Sequence, residues 1–120
     1  RGVDVGPKVA APADLPVAAF KEQILDALIE NRMIVVVGET GSGKTTQIPQ
    51  YLLDSERFKK LFNDNRGLRI AITQPRRVAA VAMARRVSQE RGARLGEDVG
   101  YTIRFEDHSS DSTSLRYMTD

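Results

Sequence analysis

The chain has no cysteine and a single histidine, His108. The first absence excludes a disulfide framework and a thiolate metal centre, and the second leaves no histidine cluster to hold zinc. Both fit an intracellular compartment. No apolar run approaches the roughly 20 residues of a membrane-spanning helix, and no charged-then-apolar leader opens the sequence. The chain therefore reads as soluble, with no membrane partner. Neither sign of charge dominates: 18 basic residues against 16 acidic ones give a net charge of +2. Bulk charge announces no polyanion partner, so a nucleic-acid reading must rest on local clusters.

What is present fits one domain, since 120 residues can bury a real core but do not comfortably hold two. Residues 1–14 carry Pro7 and Pro12 without a sustained apolar period and read as an arm or linker, leaving 15–120 as the folded unit. In residues 17–31 Phe20, Ile24, Leu25, Leu28 and Ile29 recur three and four apart, the stripe of an amphipathic helix. MIVVV, residues 33–37, is apolar at every position and predicts a strand covered on both faces. A helix is expected over 45–55, with Pro49 early in it, followed by a charged surface connection over 56–67. LRIAIT (68–73) predicts a second buried strand and 78–91 a helix stopped by Gly92. VGYTIRF (99–105) and SLRYMT (114–119) predict two more strands around a polar turn at 107–111. Alternating strands and helices predict an α/β fold, a mainly parallel sheet flanked by helices with right-handed crossovers.

The most informative string is GETGSGKTT. Gly38, Gly43, Lys44 and Thr45 satisfy G-x-x-x-x-G-K-[ST], with Glu39, Thr40, Gly41 and Ser42 in the free positions. Glycines let the backbone wrap so that successive N–H groups point inward, at the start of a helix whose dipole favours anions. Lys44 can then reach the β- and γ-phosphates of a nucleotide, the Thr45 hydroxyl can ligate Mg²⁺, and Thr46 can add a phosphate hydrogen bond. A chance Gly/Ser turn would lack the flanking strand and helix.

A phosphate loop alone does not separate kinases, transporters, GTPases and helicases. TQPRRVAA (73–80) places Arg76 and Arg77 where a strand ends and a helix begins. Alone they read as a solvated basic turn; in an α/β sheet, ligands collect beyond the carboxyl ends of the strands, where such a pair suits a backbone phosphate. Alone, the segment at Arg104 and Phe105 reads as a β-turn with a buried Phe105. Arg57, Lys59 and Lys60 read as a solvated face, His108 as exposed, and Tyr101 and Tyr117 as packing against the sheet.

Taken in order and spacing, GETGSGKTTQIPQ, TQPRRVAA, VGYTIRFED and YMTD resemble the first RecA-like domain of DEAH-box ATP-dependent RNA helicases, over about 15–120. The resemblance implies ATP and Mg²⁺ at the glycine loop, with Gly38 through Thr46 binding nucleotide, Lys44 and Thr45 catalytic, and Arg86 stacked on the adenine. Arg85 beside it reads as solvated or salt-bridged. The resemblance further implies single-stranded RNA gripped by Arg76 and Arg77, bordered by a hook-shaped turn at Arg104 and Phe105, and touched by Thr119. It also implies a nuclear or nucleolar protein acting on RNA or RNP, with a protein activator among its partners. The family's DEAH and SAT motifs and second helicase domain would lie beyond Asp120, so the piece by itself is expected not to turn over ATP. A small-molecule kinase would explain Lys44 and Thr45 but not the PRR and RFED segments. A non-catalytic nucleotide-binding interaction module would keep every motif.

Overall fold

The computed structural model describes residues 12–62 and 67–119. Most of the expected arm lies outside them; its described end, Pro12–Asp14, is one turn of 3-10 helix, and a second, Pro16–Phe20, leads into helix α1, Lys21–Glu30. Proline at the first position suits that start, because its missing N–H would have no helical acceptor. Then follow α2 (Lys44–Asp54), α3 (Glu56–Leu61), β1 (Ile70–Thr73), α4 (Arg77–Glu90), β2 (Val99–Ile103), β3 (Glu106–His108) and β4 (Leu115–Met118).

The strands form one sheet in the order β1-β4-β2-β3. β4 lies parallel to both neighbours, pairing Ile72 with Tyr117 on one side and Tyr101 with Tyr117 on the other. β3 folds back antiparallel on β2. The molecule is thus α/β, with a mostly parallel four-stranded sheet flanked by helices. Its core is the sheet face carrying Val99, Tyr101, Ile103, Leu115 and Tyr117, closed by Ala80, Ala84 and Val87 of α4. Two small residues one helical turn apart, Ala80 and Ala84, let α4 approach that face closely. As expected, Tyr101 and Tyr117 pack here, both buried. No described helix is long and apolar enough to cross a membrane.

Four expectations about these elements need correction. Residues 33–37 form no strand: Ile34 and Val36 are half-buried, whereas Met33, Val35 and Val37 are exposed, Val37 to 91%. The period of two is strand-like, but a strand exists only as half of a ladder, and no described strand pairs with this run. Burial on both faces fails for β1 as well, where Ala71 and Thr73 are exposed. The supposed surface connection after residue 55 contains α3, capped by Ser55, whose Oγ accepts from Phe58 N at 3.2 Å, and pinned by buried Phe58. Four charged residues hid a helix with a single apolar anchor. Finally, the polar turn begins as β3, because the cross-strand pairs Tyr101 with His108 and Ile103 with Glu106 carry a hairpin despite the acidic sequence.

Candidate nucleotide-binding site and nucleic-acid interface

The glycine loop is held from below and open above. Ser42 N donates to Glu39 O at 3.1 Å, closing its tightest turn, and Val17 N donates to Ser42 O at 3.0 Å, clamping the loop to the entry segment. Gly43 has φ 97° and sits against Leu15 and Val17, where a Cβ would lie 2.9 Å from Leu15 Cδ1. Only glycine meets both conditions. At Gly38 a Cβ would fall 3.1 Å from Ser42 Oγ and 3.4 Å from Lys44 Cδ, so the hollow between the loop's two ends depends on the missing side chain.

α2 begins at Lys44, and its first bonded N–H is that of Gln47, which donates to Gly43 O at 2.8 Å. The N–H groups of Lys44, Thr45 and Thr46 thus precede the helix's own hydrogen-bond ladder. They form the positive end of the helix dipole, turned toward the loop. Lys44 folds over this hollow and its ammonium donates to Gly38 O. The Ser42 hydroxyl is buried without a partner. An orphaned hydroxyl beside helix-terminal amides and an ammonium is a donor set suited to an anion with several oxygens. Phosphate therefore fits the loop. Mg²⁺ fits in a narrower sense: Thr45, in the first turn of α2, offers one hydroxyl, while no cluster of three acidic or histidine side chains occurs among the described residues.

Pro49 lies inside α2 and lacks the N–H that would bond the Thr45 carbonyl. Tyr117 supplies the missing donor: its hydroxyl reaches Thr45 O at 2.8 Å from β4. Burial, and then the nearby Glu90 charge, push the Tyr117 phenol far above its ordinary range, so the hydroxyl stays a donor.

One cavity of about 610 Å³ is lined by Leu15, by the loop from Glu39 to Thr46, and by Gln74, Met83 and Arg86. It brings Arg86 and the glycine loop together, though they are some 40 residues apart in sequence. Arg86 is tied down: its Nε donates to Glu90 Oε2 at 2.6 Å. The other Glu90 oxygen accepts from Gln47 Nε2 at 2.8 Å and Gln50 Nε2 at 3.0 Å. Burial pushes the Glu90 carboxyl up, but the hydrogen bonds from Gln47, Gln50 and Arg86, with the Arg86 charge, outweigh it and leave it below the usual range. Gln47 also donates to Thr46 Oγ1 at 3.1 Å, so this network reaches the loop itself.

The basic residues gather at the same end of the sheet. Arg76 and Arg77 follow β1 and stand exposed at the start of α4, and Arg77 Nη2 donates to Arg104 O at 3.5 Å. Arg104 and Phe105 are the two-residue turn of the β2–β3 hairpin. Phe105 adopts φ 68° and is 91% exposed, its ring 4.9 Å from the Arg104 guanidinium. The buried Phe105 of the turn reading is thus corrected. Two-residue hairpins need positive φ, and a bulky residue there is strained, of order 1–3 kcal/mol. Thr119 follows β4 at this end too, its N donating to Thr102 O at 3.3 Å, but its hydroxyl is buried and unpartnered.

Arg85 is exposed, as are Arg57, Lys59, Lys60 and His108; Arg57 pairs with Asp26 at 2.7 Å. Gln47, Gln50, Glu90 and Gln74 were not anticipated. The signal existed for the first two, polar side chains one turn apart on the buried side of α2, and for Arg86 and Glu90 at helical spacing of four. In a comparison with protein-family models, none matches the chain.

Proposed function

We propose that the chain binds ATP with Mg²⁺ at the loop from Gly38 to Thr46 and single-stranded RNA at the neighbouring basic edge, as part of a DEAH-type ATP-dependent RNA helicase. The observation that carries this reading is the proximity of two anion-suited surfaces on one end of one sheet. The glycine loop and Arg86 share a cavity, and α4, which carries Arg86, starts at Arg76 and Arg77. α4 is therefore a rigid element common to both.

In this reading the loop amides and Lys44 bind and orient the phosphates, and the Arg86 guanidinium, planar and permanently charged, lies against the base. Thr45 would help hold Mg²⁺, which, when bound, neutralises charge developing on the phosphates. Arg76, Arg77 and Arg104 hold backbone phosphates irrespective of sequence, and exposed Phe105 offers a face on which a base can stack.

The test is ATP turnover by the natural full-length protein, with and without single-stranded RNA, beside Lys44→Ala. RNA-stimulated turnover that disappears in the variant is the expected result. Nucleotide binding without turnover, even with RNA and an activator, would favour the non-catalytic interaction module, which uses the same residues.

A further inference from the structure

Three amide and guanidinium donors on two helices converge on one carboxylate. Gln47 and Gln50 of α2 bond Glu90 Oε1, and Arg86 of α4 bonds Oε2. The Glu90 side chain is only 11% exposed while Arg86 is 31% exposed, so the carboxylate is the buried anchor and the guanidinium the part that faces the cavity. A flexible arginine loses rotamer freedom when it binds a ligand; one already gripped at Nε has lost much of it beforehand.

We propose that Glu90 is a positioning residue for nucleotide recognition, fixing the Arg86 guanidinium toward the base end of the cavity and, through Gln47 and Thr46, setting that arginine in register with the phosphate loop. The inference rests on the nucleotide reading above. Only a carboxylate does this: a glutamine can accept from Gln47 and Gln50 with its oxygen, but its NH₂ then meets Arg86 Nε, donor against donor, and the flipped amide fails on the other side.

A pair that merely fastens α2 to α4 would, when broken, weaken every ligand of the loop alike. The probe is therefore binding of Mg²⁺–ATP against Mg²⁺–tripolyphosphate, which has the phosphates and lacks the base. With Glu90→Gln, ATP affinity should fall about fivefold to tenfold, the scale of a partly desolvated cation–π contact, with tripolyphosphate affinity unchanged. Arg86→Ala should give the same selective loss, and adding Glu90→Gln to it should add nothing. Should Glu90→Gln fail to fold, Glu90→Asp keeps the charge but draws the carboxylate back by one methylene, and a folded variant with unchanged ATP affinity overturns the proposal. Equal losses for both ligands, or no loss, overturn the role of Glu90 and leave the nucleotide site standing. Failure of the unaltered protein to bind either ligand overturns both.

Discussion

Replacing Tyr117 by phenylalanine removes one oxygen from a fully buried side chain and leaves the Thr45 carbonyl without the donor that stands in for the proline. A neutral hydrogen bond contributes about 1 kcal/mol net, and a buried acceptor left unsatisfied costs about 1–3 kcal/mol. Tyr117→Phe should therefore lower stability by about 2 kcal/mol, readable as a drop in urea midpoint at constant m-value. The sharper assay is a cycle with Pro49→Ala, since an alanine at that position would restore an N–H one helical turn after Thr45. In that background the carbonyl keeps a partner, and the same Tyr117→Phe change should cost under about 0.5 kcal/mol. A cost that is equal in both backgrounds would refute the argument that the tyrosine compensates for the proline.

Gly43→Ala should destabilise by about 3 kcal/mol, from the left-handed backbone and the contact with Leu15, whereas Gly41→Ala, at φ 87° with nothing within 4 Å, should cost only about 1–2 kcal/mol; equal midpoints in denaturant would contradict the packing argument. Hydrogen bonding by Arg91, offset in part by burial, lowers the Asp54 carboxyl, and Glu90 also lies below its ordinary range. Both therefore stabilise the fold fully above their unfolded pKa, near 4, and lose that contribution as pH falls through the lower folded values; unfolding free energies measured from pH 5 to 2 should fall accordingly, less steeply for Glu90→Gln. Phe105→Gly should raise stability by about 1 kcal/mol by relieving the positive φ and, on the proposed reading, weaken binding of single-stranded RNA; a loss of stability would show that the exposed ring packs against something.

The elements that sequence made legible are those whose pattern is local. Helical periodicity located α1, α2 and α4 to within a few residues, and alternation on either side of a polar turn located β2 and β4. What it could not supply was partnership. Residues 33–37 have every local mark of a buried strand, yet strandedness is a property of two segments, and no described strand pairs with them. α3 failed for the opposite reason, since one buried phenylalanine and a serine cap outweigh a polar composition. At the candidate site, the geometry of the glycine loop was readable because it is built from contiguous backbone. The Glu90 network was not, because its members come from two helices and acquire meaning only when these pack. Nor could the sequence tell that the Tyr117 hydroxyl would complete a helix broken by proline some seventy residues earlier.

The strand order carries a consequence for how the chain acquires its shape. Among the described strands β4 is last in sequence but central in space, the one that bonds both β1 and β2. During synthesis the β2–β3 hairpin can close as soon as its turn emerges, and the helices can flicker into place. β1, however, has no partner among these strands until Met118 has left the ribosome. The sheet therefore cannot close before its keystone has been made, and the β1–β4 pairing spans more than forty residues of intervening chain, so that β1 has an open edge until then.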